Sequence, residues 1–232
     1  MDDYTRFATF NSPGHLPVSI SFLPATWLKH GRDLEEIVLA HGVLFPRYQK
    51  GDYKNVKPQG LYAYGRKFDV WGCEWDNISE GYDSICVGHP LKTREDIRNL
   101  EIPEEDAGTP HGFMFLQLTY LRGYEECMID FAEEPEELAI LIEKVLEYNM
   151  RQIRRKLAGM GKKDLHIGFG DDLGMQNGLP TGPAKWRKYL KPCFMKMYSL
   201  CKENGKIVYM HSDGCIHEII PDLRDCGVDI IN

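Results

Sequence analysis

The chain has 232 residues, 43% hydrophobic and 27% charged, the balance expected of one globular domain or of one domain with a small appendage. Its formal net charge of −7 excludes the broad basic surface that a nucleic-acid binder needs. No stretch approaches the ~20 uninterrupted apolar residues of a membrane span.

The N-terminal Met1-Asp2-Asp3-Tyr4 lacks the basic and then apolar run of a secretory signal. The seven cysteines are scattered without a Cys-x-x-Cys pair, which reads as reduced thiols in a cytoplasm. A basic strip, Arg151-Gln152-Ile153-Arg154-Arg155-Lys156, alternates with apolar helix positions and reads as a solvated helix face.

Residues 16–23 alternate and are rich in apolar and β-branched types, predicting a first strand that ends at Pro24. Residues 33–41 then read as a helix with Leu34, Ile37, Val38 and Leu39 on its apolar side. Polar and turn-forming residues from 46 to 58 predict a loop. The aromatic stretch 61–75 predicts a hairpin or an irregular strand pair. Residues 113–118 read as a strand, and Pro135 opens a helix at its favoured first position. Leu138, Leu141, Ile142, Val145, Leu146, Met150, Ile153 and Leu157 recur at three and four, one stripe of a long amphipathic helix.

A strand is predicted at 165–169, followed by a helix over 184–203 interrupted near Pro192 and stopped at Gly205. A strand at 206–210, a helix at 216–225 and the start of another strand at 228–231 complete the chain. Strands alternating with helices imply a parallel α/β sheet. Five or six strands are fewer than the eight of a closed β/α barrel, which usually needs ~250 residues.

Two of these strands end in chemistry. Asp171-Asp172-Leu173-Gly174-Met175-Gln176 follows the strand at 165–169, and His211-Ser212-Asp213-Gly214 follows the strand at 206–210. The C-terminal edge of a parallel sheet is where such folds bind ligands and react them. Carboxylates and an imidazole at that edge bind metals or move protons, and they point to an enzyme.

Taken together and in order, several segments resemble the uroporphyrinogen decarboxylase-like superfamily, in particular its cobalamin-dependent methyltransferase branch. They are Lys67-Phe68-Asp69-Val70-Trp71-Gly72-Cys73-Glu74-Trp75, His89-Pro90-Leu91, Arg94-Glu95-Asp96-Ile97, Leu121-Arg122-Gly123-Tyr124-Glu125 and Asp130-Phe131. Pro135-Glu136, the 171–176 segment, Trp186-Arg187, Lys191-Pro192, the 211–214 segment and Gly227-Val228-Asp229 complete the set over residues 60–232.

The resemblance implies a single domain over 1–232 folded as a (β/α)8 TIM-barrel-like α/β protein. Residues 1–110 would form its irregular N-terminal part and 111–232 its regular β/α units, the chain ending before the last strands. It further implies a small methylated donor, a partner protein carrying cobalamin as methyl acceptor, and zinc as a further cofactor.

Residues i and i+2 of a strand point the same way, so His211 and Asp213 are placed to share one metal ion, with Glu74 a third ligand. Thiol-methylating relatives have His-x-Cys where this chain has His211-Ser212-Asp213. Exchanging thiolate for carboxylate leaves zinc a harder Lewis acid, suited to an ether, alcohol or amine leaving group. The alternative for His211 is a hydrogen bond to neighbouring loops.

Of Asp171 and Asp172, one faces the barrel mouth and the other caps a helix or bonds loop backbone. Asp172 is the one assigned to substrate or to a histidine, with Gln176 adding a polar contact. Trp71 and Trp75 either line a pocket for an aromatic or corrin ring or are plain core. Arg122 either holds a substrate carboxylate or forms a salt bridge with Glu125 or Glu126.

Two rival functions stand beside methyl transfer. A porphyrinogen decarboxylase must grip many carboxylates, yet residues 16–32 offer only Lys29 and Arg32. A non-catalytic barrel that binds a corrinoid protein is the other rival.

Overall fold

The computed structural model describes residues 3–12, 14, 18 and 20–232. The chain divides into two compact units: Met1–Asp69 with Glu74–Val87, and Val70–Cys73 with Gly88–Asn232.

The first unit begins with helices α1 (Asp3–Ala8) and α2 (Pro24–Ala40). Proline sits in the first turn of α2, where its missing N–H costs nothing, and Gly31 breaks the helix at φ 41° and ψ −112°. Leu34 and Val38 of the predicted 33–41 helix lie on its buried side, whereas Ile37 and Leu39 are exposed. Strands β1 (Gly65–Phe68), β2 (Glu74–Asn77) and β3 (Ile85–Gly88) form a sheet in that order. The β1–β2 pair is antiparallel, with Phe68 opposite Glu74, so the aromatic stretch 61–75 does contain a strand pair. Of the strand predicted at 16–23, residues 16, 17 and 19 lie outside the described residues. The remainder is not strand.

The second unit carries α3 (Arg94–Asn99), α4 (Phe115–Arg122), α5 (Tyr124–Glu133) and α6 (Glu136–Gly159). The three-and-four spacing predicted for α6 is realised: Leu138, Leu141, Ile142, Val145, Leu146 and Ile153 are all buried. Each such side chain contributes roughly 1.5–3 kcal/mol by leaving water.

Three parallel strands follow: β4 (His166–Gly170), β5 (Ile207–His211) and β6 (Ile230–Ile231), in the order β4-β5-β6. Between β4 and β5 lie α7 (Gly182–Lys185), a π turn over Trp186–Leu190, and α8 (Lys191–Glu203). The Lys191 N–H bonds back to Trp186 O, five residues earlier, and Pro192 in the next turn has no N–H to offer. The predicted interruption near Pro192 is this π turn. The helix predicted at 216–225 is a short 3-10 turn, His217–Ile219, continuing into α9 (Ile220–Asp225).

An aromatic chain joins Phe113, Phe169 of β4, Tyr198, Phe194 and Trp186, with successive ring centroids 5.1–5.9 Å apart. All five are buried.

The described residues form a mixed α/β fold with two three-stranded sheets, neither closed on itself. One expectation is corrected. Residues 113–118, predicted as a strand, belong mostly to helix α4. An apolar run of this length does not distinguish a strand from a buried helix turn. The first turn of this helix is capped from elsewhere in the chain, as described below. All seven cysteines are free thiols, and among the described residues no helix is long and apolar enough to cross a membrane.

Candidate active site

The register of β4 on β5 places Gly170 beside His211, so the segments that follow leave the same edge of the parallel sheet. Asp171 N–H extends the ladder to His211 O at 3.0 Å. Beyond that point the two segments run against each other. Leu173 N–H donates to Ser212 Oγ at 3.0 Å, Asp213 N–H to Asp172 Oδ1 at 2.9 Å, and Cys215 N–H to Met175 O at 2.8 Å.

Asp171 and Asp172 point to different tasks, as successive residues leaving a strand must. Asp171 is fully buried and its carboxylate accepts the backbone N–H groups of Phe115 (2.6 Å) and Leu116 (3.0 Å). Those groups open α4, whose own N-cap residue, Met114, supplies no side-chain bond. The carboxylate therefore caps the helix from 56 residues away and sits at the positive end of its dipole. Burial pushes the Asp171 pKa up to about 7, against the pull of the two N–H donors and of nearby His111.

Asp172 is half-buried and turns toward two imidazoles. Its Oδ2 lies 3.0 Å from His111 Nε2, while its Oδ1 is held by Asp213 N–H. His111 and His211 have ring centroids 5.5 Å apart. His211 Nδ1 faces Asn232 Oδ1 at 2.8 Å. Since an amide oxygen only accepts, Nδ1 carries a hydrogen and donates to Asn232. One ligand atom each from His111, Asp172 and His211 falls within 4.8 Å of the others.

Gly170 is what admits His111. A Cβ there would come within 2.5 Å of His111 Nδ1. Gly112 N–H donates to Gly170 O at 2.7 Å, tying the segment before α4 to the end of β4.

The other residues singled out from the sequence lie as follows. Asp213 is 79% exposed, with Oδ1 3.6 Å from His211 Nε2. Gln176 is exposed. Glu74 is bonded to Arg66 at 3.0 Å in the first unit. Trp75 is buried in that unit and donates to Asp69 Oδ2 at 2.9 Å. Trp71 is buried in the second unit against the ring of Tyr148, centroids 4.9 Å apart.

The Arg122 guanidinium is also buried. It bonds Asp130 (2.9 Å), Glu126 (2.8 Å) and the carbonyl oxygens of Leu91 (3.2 Å) and Lys92 (2.9 Å). Of the two salt-bridge partners considered for it, Glu126 is present.

His111 was not singled out from the sequence. It precedes residues read as a strand, which would have placed it at a strand's N-terminal end, away from chemistry. With α4 a helix, His111 lies instead at the mouth of the segment that β4 and Asp171 pin down. The only local signal was a histidine followed by glycine.

Chemically, the arrangement offers a carboxylate-held imidazole for proton transfer and two imidazoles with a carboxylate for a cation. Borderline divalent metals take such nitrogen and oxygen donors.

No protein-family profile matches the chain, and no curated protein matches it. Among solved structures, a methyltransferase from Methanosarcina mazei matches with a TM-score of 0.54 and 17% sequence identity, over 70% of this chain and 52% of that one. The chain thus spans about half the length of that structure. At this identity the likeness is one of fold: the chain is folded like part of a methyltransferase.

Proposed function

We propose that the chain transfers a methyl group from a small methylated donor, such as a methoxylated aromatic or a methylamine, to a corrinoid carried by a partner protein. The observation that carries this reading is the convergence of His111, Asp172 and His211 at the C-terminal edge of a parallel sheet, in a fold shared with a methyltransferase. The corrinoid partner and the donor class come from the resemblance of the sequence segments to the cobalamin-dependent branch.

In such a displacement the C–O or C–N bond of the donor breaks as the methyl carbon bonds to the acceptor. The departing oxygen or nitrogen keeps the bonding electrons; an ether oxygen, which leaves as an anion, then takes up a proton. That proton comes from solvent, which reaches the edge of the site where the His111 side chain is 47% exposed beside Asp172. Asp172 orients the imidazole while its second oxygen stays anchored on Asp213 N–H. A zinc ion belongs to the same reading, with His211 as a ligand; when bound it supplies Lewis acidity toward the leaving heteroatom. The seven free thiols favour a reducing compartment.

The test is incubation with chemically reduced cobalamin and a panel of methoxylated aromatics, methylamines and betaines. Methylcobalamin absorbance should rise with at least one donor class, and His111→Ala should abolish the rise. Absence of methylcobalamin with every class overturns the reading.

A further inference from the structure

Two imidazoles and a carboxylate that gather from three separate chain segments need a reason. The His111 and His211 rings stand with centroids 5.5 Å apart, and Asp172 Oδ2 lies within 3.0 Å of His111 Nε2. A shared cation gives all three side chains a common partner. Zinc–nitrogen and zinc–oxygen bonds of roughly 2.0–2.2 Å put ligand atoms about 3–3.6 Å apart. His111 Nε2 and Asp172 Oδ2 already stand at 3.0 Å. The full spread of 4.8 Å closes with side-chain rotation of about 1 Å.

The supports around these atoms are those of a built site. The His211 ring is oriented through Nδ1 by Asn232, which makes Nε2 the nitrogen available to a ligand. Asp172 Oδ1 is fixed by a backbone N–H, which frees Oδ2. His111 is seated on the bare backbone of Gly170. Each donor thus has its orientation set by a group that is not itself a donor, the pattern by which outer partners position metal ligands.

We propose that His111, Asp172 and His211 together bind a divalent cation of the zinc class. This replaces the pair His211 and Asp213 with Glu74 that the strand spacing implied. Asp213 is the most exposed acid at this site and becomes an adjustable neighbour, and Glu74 remains with Arg66. Three protein ligands and one open position characterise catalytic zinc. The ion's role in polarising a leaving group rests on the methyl-transfer reading; its binding rests on the geometry alone.

The experiment titrates chelator-stripped protein with Zn2+ by calorimetry and with Co2+ by visible absorbance, without methyl donor or cobalamin. One equivalent should bind, and Co2+ should develop the d–d bands of a low-coordinate site. His111→Ala, Asp172→Asn and His211→Ala should each weaken binding at least tenfold. Gly170→Ala, which displaces His111 without removing a donor, should weaken it less than His111→Ala.

Circular dichroism and melting of each variant identify any that fails to fold. Asp172→Asn, which keeps an oxygen for Asp213 N–H, serves as the conservative probe. Absence of stoichiometric binding overturns the site, as does wild-type affinity in folded Asp172→Asn and His111→Ala together. So does loss of binding in Cys215→Ser, whose thiol lies 3.2 Å from His217 Nδ1, because the ion would then sit on that pair. Metal binding with these dependences but no methylcobalamin would leave the site standing and remove the methyl-transfer reading.

Discussion

A Cβ on Gly214 would come within 2.3 Å of the carbonyl carbon of Gly174, and one on Gly174 within 2.5 Å of Cys215 N. The two strand-end segments therefore lie backbone on backbone, at a separation that only glycine permits. This contact sets where Asp172 and His211 stand, because each leaves its strand only two or three residues before the crossing point.

Gly174 does not need the left-handed backbone region, so Gly174→Ala isolates the contact from conformational strain. It should lower stability by roughly 1–3 kcal/mol, the range for forcing atoms into filled space. Gly168→Ala is the reference, since a Cβ there meets its nearest neighbour at 3.8 Å. Urea denaturation of both variants measures the difference. Equal midpoints would mean that the segments are not interlocked.

Arg122 and Asp130 form a buried ion pair at 2.9 Å, with side chains 4% and 2% exposed, and Arg94 reaches the other oxygen of Asp130 at 2.8 Å. Removing one member of such a pair strands the other charge in a poorly solvated place. Arg122→Met should cost about 3–5 kcal/mol of folding stability. Chemical denaturation decides between this and a substrate-binding role. Unchanged stability with a raised KM for the methyl donor would return Arg122 to the substrate.

Glu134, at φ 57° in the turn between α5 and α6, receives hydrogen bonds from Lys188 and Tyr189 (2.8 Å to the latter), with Lys185 at 3.3 Å. Lys188 first, then Tyr189, pull its pKa from 4.5 to about 2. A depressed acid stabilises the fold above its unfolded value and loses that contribution as pH falls through the folded value. Melting temperatures of wild type and Glu134→Gln should therefore differ most above about pH 4.5 and converge toward about pH 2. Parallel curves across that window would show that these contacts do not shift the group.

The sequence by itself determined the elements whose signal is local. The stripe of α6, the strands β4 and β5, and the acid-rich and imidazole-bearing segments that follow them are all readable, because periodicity and turn chemistry act over a few residues. The same locality explains the misreading of residues 113–118. Their helix is capped by the carboxylate of Asp171, and no window around Met114 contains that group. The division of labour between Asp171 and Asp172 was open for the same reason, since it depends on which of them meets the end of α4. His111 is the sharpest case. Its partner Asp172 lies 61 residues away, and its seat on Gly170 exists only once α4 and β4 have packed. Tertiary structure decided the site because its donors are brought together by backbone contacts between distant segments, and such contacts leave no periodic trace in any one of them.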